Sequence, residues 1–271
     1  MNRKLTYTIL LIIVTVGLYY LDKKVDRDNE EYPVEIDAEK NNSTEFDTSM
    51  LPTSTTGAII EHSFFTLSYA EKHEQAEWVA YTLKEDHISN HDFKRPYFIE
   101  DRKVKTKSAD WRNYKKSGYD RGHLCPAGDR TFNYDAYHET FLTSNISPQN
   151  HEFNAGIWNR LEQKTRFWAK KYNDVYVVTG GILRNGLEKI GDENVSVPNE
   201  FYKIIVDASD GNYKAISFLI PNKTSSKSFY EYAVSIDEIE NKTGIDFFPD
   251  LSDQIENKLE SEINLKAWGK R

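Results

Sequence analysis

Within the run Asp120-Arg121-Gly122-His123 a guanidinium and an imidazole stand two residues apart. On an extended strand both side chains leave the same face. An imidazole that titrates near neutrality can take a proton from water, and the planar fork of donors beside it can hold two oxygens of a phosphate. The pair therefore suits phosphodiester chemistry. Gly122, lacking a side chain, allows close approach of backbone or substrate. Asp120 falls on the opposite face, where it is expected as a hydrogen-bond partner rather than a proton acceptor. Taken alone, Arg-Gly-His fits a structural histidine equally well.

A second cluster lies downstream. Ser144-Asn145-Ile146-Ser147-Pro148-Gln149 leads into Phe153-Asn154-Ala155-Gly156-Ile157-Trp158, then Leu161-Glu162 and Arg166. Asp-Arg-Gly-His-Leu, Ser-Asn-x-x-Pro-Gln and Phe-Asn-x-Gly-x-Trp-x-x-Leu-Glu, in that order, resemble the DNA/RNA non-specific endonucleases of the ββα-metal (His-Me finger) type. That family includes secreted bacterial nucleases and mitochondrial endonuclease G, and the resemblance extends over residues 75–220. It implies an α+β domain whose central, mainly antiparallel sheet is flanked by helices, with a metal site built from two strands and a helix. It also implies magnesium as cofactor, with manganese able to substitute, and sequence-non-specific hydrolysis of DNA and RNA to 5′-phosphate ends. By position, His123 is implied as general base, Asn154 as direct metal ligand and Glu162 as the anchor of metal-bound water. Arg121 and Arg166 are implied as phosphate contacts, and Asn145 as support for the histidine region. Arg95 is a looser match to a further basic residue upstream.

Spacing bears on two of these roles. Asn154 and Glu162 are eight residues apart, about 12 Å along a continuous α-helix. Two direct ligands of an ion with bonds of about 2.1 Å must lie within roughly 4 Å of each other. A direct Asn154 and a water-mediated Glu162 fit better, and magnesium keeps several of its waters. Two other chemistries compete for the same stretch. His123, Cys125, His138 and His151 are of types that bind zinc, yet their spacing matches no common motif. Cys125 as nucleophile has no activating base other than His123. The rival from another functional class is a catalytically inactive, membrane-tethered nucleic-acid-binding protein, against which stands the retention of every matched catalytic residue.

The elements that must hold these residues are legible in outline. Residues 78–83 read as a strand, and Cys125-Pro126-Ala127-Gly128 should end another and open a loop. Apolar positions at Ile157, Trp158, Leu161, Thr165 and Trp168 predict a helix over 153–171 with one face packed inward. Residues 175–179 predict a strand ended by Gly180-Gly181, and 201–206 and 213–220 two more, joined by a hairpin turn at Ser209-Asp210-Gly211-Asn212. A helix should begin at Ser235, with Glu238 as capping-box partner. Residues 245–251 read as a packed end to the domain, followed beyond Ser252 by a short peripheral helix. Strands outnumber helices and do not alternate with them regularly, which also points to α+β.

Charge and composition set outer limits. A net charge of −8 does not resemble that of a polyanion-binding protein, but residues 94–130 carry 11 basic groups against 5 acidic ones. That excess could form a phosphate-facing stripe toward DNA and RNA substrates. The aromatics Tyr69, Tyr81, Tyr114, Tyr119 and Trp158 are expected in packing before base stacking. The single cysteine excludes an intramolecular disulfide. Residues 5–21 form a run of 17 without a charge, preceded by Arg3 and Lys4. Long enough for a thin bilayer and lacking a small-residue cleavage site, the run is expected as an uncleaved signal anchor within 1–25, in preference to a signal peptide. Its basic flank would hold the protein at the cell membrane with the catalytic domain extracytoplasmic; cleavage would make it secreted. Residues 26–58 read as a flexible acidic linker, and 59–271 as the nuclease domain.

Overall fold

Residues rich in β-branched and aromatic side chains alternate between two apolar faces, and this alternation builds the frame. The computed structural model describes residues 14–16, 50–209 and 212–269, in a chain that separates into two units, Met1–Ala38 and Glu39–Arg271. In the second unit the strands are β1 (Ile59–Glu61), β2 (Thr66–Ala70), β3 (Gln75–Lys84), β4 (Asp120–His123), β5 (Ile146–Gln149), β6 (Asp174–Gly181), β7 (Lys189–Ile190), β8 (Val195–Ser196), β9 (Glu200–Asp207), β10 (Lys214–Pro221) and β11 (Ala233–Val234). The helices are α1 (Tyr134–Glu139), α2 (Asn159–Tyr172), α3 (Ile236–Thr243) and α4 (Asp253–Ser261). Seven strands form one antiparallel sheet in the order β1-β2-β3-β6-β9-β10-β11.

Both faces of this sheet are buried, which is why its strands read as nearly continuous apolar runs. Val79, Tyr81 and Leu83 of β3 pack with Val175, Val177, Phe201 and Ile205 against Leu161 and Trp168 of α2. Trp78 and Ala80 point the other way and join Tyr176, Val178, Tyr202 and Ile204 against Ile236 and Ile239 of α3 and Leu259 of α4. The sheet thus separates α2 from the α3–α4 pair. Burial of a large apolar side chain contributes about 1.5–3 kcal/mol, so the alternating residues of the central strands specify both layers.

The expected β9–β10 pairing is present from Lys214↔Asp207 to Pro221↔Glu200. Asp210 and Gly211 of its expected turn lie outside the described residues. Ser235 Oγ accepts from the Glu238 amide at 3.2 Å, so the hydroxyl half of the expected box starts α3. Phe247 and Phe248 are fully buried in the expected domain end. The helix expected over 153–171 differs at its start. Phe153–Trp158 is a π-helical segment that continues directly into α2, and apolar spacing alone does not distinguish the two.

Residues 50–58, read from sequence as the end of a linker, pack on the sheet. Met50 is buried, Trp78 Nε1 donates to the Thr53 carbonyl at 2.9 Å, and the Thr55 amide donates to Glu77 at 2.9 Å. Polar residues hide this segment from a composition-based reading because hydrogen bonds, not apolar burial, hold most of it.

The membrane anchor, and with it the membrane partner and cell-membrane localisation, is corrected. Among the described residues no helix is long and apolar enough to cross a membrane. Apart from Val14, Thr15 and Val16, which are helical, the run 5–21 lies outside the described residues.

Candidate active site

β4 and β5 form a separate two-stranded ribbon, with Asp120 opposite Gln149 and His123 opposite Ile146. The chain leaves β5, turns at Asn150 and enters the π-helical segment and α2, giving a strand–strand–helix unit. The Asn150 side chain starts the helix by accepting from the amides of Glu152 and Phe153 at 3.1 and 3.2 Å. Gly122 is required by packing: a Cβ there would lie 2.2 Å from the Gln149 side chain.

His123 closes β4. Its ring centroid lies 4.9 Å from that of Phe141, nearly perpendicular to it, and 5.6 Å from that of Phe98. Nε2 is buried without a partner, which leaves Nδ1 as the nitrogen able to meet water. Burial, followed by the charges of Arg95 and Arg121, pushes its pKa down to about 3. This favours the neutral imidazole, the form able to accept a proton.

The chain beyond His123 is pinned by Asn145. Its Oδ1 accepts from the Cys125 amide at 2.8 Å, and Nδ2 donates to the carbonyls of Cys125 and Thr140, both at 2.9 Å. Fully buried and bonded to backbone, Asn145 acts on the histidine's position. Cys125 is fully buried, and burial pushes its thiol up to about 12, the opposite of the exposed, low-pKa setting of a reactive cysteine. The zinc alternative fails on geometry: among the described residues, His123, Cys125, His138 and His151 are not gathered within ligand distance.

Asp120 reaches from the ribbon to the helix. Its Oδ2 accepts from Asn154 Nδ2 at 2.9 Å and contacts His151 Nδ1 at 3.0 Å. This grip fixes which way the Asn154 amide faces: the nitrogen is held by Asp120 and the oxygen is left for another partner. On an unbroken α-helix, Asn154 and Glu162 would point about 80° apart. The residue accommodated by the π-helical turn brings them toward a two-turn relation, and so toward one face.

Glu162 is half-buried and makes no hydrogen bond among the described residues. Its carboxyl is pushed up to about 7, first by burial; Lys203 and Arg166 oppose the rise and Asp129 adds to it. Lys203 lies on β9 between Phe201 and Ile205 in register, so it faces α2. It is fully buried, its Nζ has no hydrogen-bond partner, and it sits 4.9 Å from the Trp158 ring centroid. Burial depresses its pKa, and Glu162 is the largest influence holding it up. Arg166 is already engaged, donating from Nη1 to Asp129 Oδ1 at 2.6 Å; Asp129 Oδ2 accepts from Tyr81 at 2.9 Å. Sequence reasoning missed Lys203 and Asp129. The placement of Lys203 two residues from Phe201 and from Ile205 was the available signal.

A cleft of about 470 Å³ is lined by Arg95, Trp111, Tyr114, Lys115, Lys116, Tyr119, Asp120, Arg121 and Asn154, with His123 and Glu162 outside its lining. Arg95 and Arg121 share the Phe98 ring, at 5.5 and 4.8 Å, and neither pairs with a carboxylate among the described residues. Burial and the neighbouring Arg95 charge lower the Arg121 pKa, so an anion between the two guanidiniums would relieve their repulsion. The basic stretch divides accordingly: Arg95, Lys115, Lys116 and Arg121 face the cleft. Arg130 is buried and donates to the Phe64 and Thr82 carbonyls, while Arg112 pairs with Asp110 at 2.7 Å.

Comparison with known proteins bears on this arrangement. The chain is 36% identical over 214 residues to the mitochondrial nuclease EXOG of Danio rerio, covering 72% of this chain and 62% of that one. It is 31% identical to a nuclease of Nostoc sp., covering 74% and 76%, and 33% identical to the mitochondrial endonuclease G of Caenorhabditis elegans, covering 69% and 67%. It spans less than two thirds of the length of several EXOG relatives. A chain from the crystal structure of the EndoG/EndoGI complex superposes with a TM-score of 0.69 at 29% identity, covering 79% of this chain and 91% of that one. That likeness agrees with the antiparallel sheet and flanking helices described above. With a match to the sequence profile of the DNA/RNA non-specific endonucleases over residues 42–254, the chain belongs to that family.

Proposed function

We propose that the protein is a magnesium-dependent endonuclease that hydrolyses phosphodiester bonds of DNA and RNA with little regard for base sequence, leaving 5′-phosphate ends. The observation that carries this reading is the bond from Asn154 Nδ2 to Asp120, which turns the amide oxygen free on the helix facing the ribbon that carries neutral His123. The available donors are oxygens, from Asn154 and through water from Glu162, which suits a hard ion such as Mg2+, with Mn2+ expected to substitute. Such an ion would neutralise developing charge on phosphate and leaving-group oxygens. His123 takes the proton from the attacking water through Nδ1. Arg121, with Arg95 beside it, receives the phosphate oxygens. Arg166, committed to Asp129, holds the far side of the Glu162 neighbourhood in place. Because every contact is made to phosphate, neither a 2′-hydroxyl nor a base edge is needed.

The test is degradation of matched DNA and RNA in Mg2+, with chelator controls and end-group analysis. His123→Ala should lower the rate by about 10²–10⁴-fold, the usual worth of a positioned base. Retention of more than about a tenth of wild-type activity would remove His123 from that role.

A further inference from the structure

On the sheet face opposite α2, five carboxylates converge from three elements. Asp237 and Glu240 are three apart on α3, and Glu256 and Glu260 four apart on α4, so each pair shares a helix face; Asp246 comes from the segment between. Carboxylate oxygens of Asp237, Glu240 and Glu260 lie within 4.8 Å of one another, as do those of Asp246, Glu256 and Glu260. Donors on opposite sides of a Ca2+ ion with bonds of 2.3–2.6 Å are separated by roughly 5 Å, so each set of three fits around one such ion, the two sets meeting at Glu260.

Acidic side chains often cluster at a surface without binding anything, but Glu260 does not behave as a surface residue. It is 7% exposed, and its Oε1 is buried with no hydrogen-bond partner. Among the described residues none of the five has a lysine or arginine within ion-pair distance, and the hydrogen bond made to their side chains comes from the Phe247 amide to Glu240, at 3.0 Å. Burial first, then Glu240, Glu256, Asp246 and Asp237, push the Glu260 pKa up to about 8. A buried carboxylate facing four others must take up either a proton or a positive partner.

We propose that Glu260, with Asp237, Glu240, Asp246 and Glu256, forms a binding site for a divalent cation of the Ca2+ class that fastens α4 to α3. The site is independent of the nuclease reading, because Ile236, Ile239 and Leu259 pack on one face of the sheet and α2 on the other. Oxygen-only ligands, flexible geometry and high negative charge favour Ca2+ over the smaller Mg2+, which demands tighter octahedral packing.

The experiment uses the full chain, stripped with chelator and titrated with calcium chloride alone, read by calorimetry and thermal unfolding. The wild type should bind calcium and gain roughly 5 °C or more in Tm near saturation. Glu260→Gln should unfold no lower than the wild type in chelator, lose that gain, and keep its magnesium-dependent nuclease activity. Asp237→Asn/Glu240→Gln should lose the gain as well, which covers a Glu260 variant that folds poorly. A wild type with neither calcium heat nor Tm gain overturns the proposal whatever the variants do. An equal gain in wild type and both variants assigns the calcium elsewhere and also overturns it. A Tm that ignores calcium but rises as pH falls through 8 would show a shared proton in place of the cation.

Discussion

Asp120 and Lys203 illustrate two ways in which a charged residue acts on its neighbours. Asp120 holds the Asn154 amide, so under the metal-ligand role proposed for Asn154, Asp120→Ala should leave the fold intact and raise the magnesium concentration for half-maximal rate by about 10–100-fold. A magnesium titration of initial rates measures this, and an unchanged half-saturation would show that the bond is incidental. Lys203 places an unpartnered ammonium beneath α2, where its charge favours ionised Glu162. Replacing a buried charge by an apolar side chain of similar size is often neutral or stabilising. Lys203→Met should therefore keep or raise Tm while demanding more magnesium for the same rate; a lowered Tm with unchanged magnesium dependence would make Lys203 purely structural. The motif residues were legible because their order is long and specific. Lys203 was not, because a lysine inside a strand reads as an outward-facing position until the second layer is known.

The π-helical segment matters at the scale of the element. Phe153–Trp158 carries one residue more than an α-helix would accommodate over the same turns, and that residue sets the relation between Asn154 and Glu162. Deleting Ala155, whose side chain is exposed, should regularise the helix and leave Asn154 and Glu162 seven residues apart, about 20° from sharing a face. Circular dichroism should show helix content retained, with magnesium-dependent activity within about tenfold of the wild type; a larger loss would mean that the π turn does more than set this relation. The helix itself was evident from the apolar recurrence at Ile157, Leu161, Thr165 and Trp168. Its π start was not, since the same positions are apolar in either geometry.

Across the whole molecule, His62 ties the residues after β1 to two distant segments. Its Nε2 lies 2.8 Å from Asp101 and its Nδ1 3.7 Å from Glu139, with all three side chains buried. Burial opposes protonation, but the hydrogen bonds and charges of Asp101 and Glu139 outweigh it and raise the His62 pKa above its ordinary 6.5. A raised folded-state pKa contributes stability that is complete below pH 6.5 and is lost as pH rises through the folded value. His62→Gln should cost about 3–5 kcal/mol at pH 6 by leaving buried carboxylates without their cation. Denaturant unfolding from pH 6 to 9 should show the gap to wild type narrowing, and a gap that widens with pH would contradict the assignment.

The sequence by itself determined the family, the α+β class and the central strands, because these depend on local order and on apolar periodicity. It was misleading where a local feature has several tertiary outcomes. An uncharged run at 5–21 suggested a membrane span, and a polar stretch at 50–58 suggested a linker although it packs on the sheet. Tertiary structure alone decided that Asp120 grips Asn154, that Asn145 pins the backbone after His123, and that Lys203 lies under Glu162. Each of these depends on which residues from distant parts of the chain share a few ångströms of buried space, and such proximity leaves no period or spacing in the sequence.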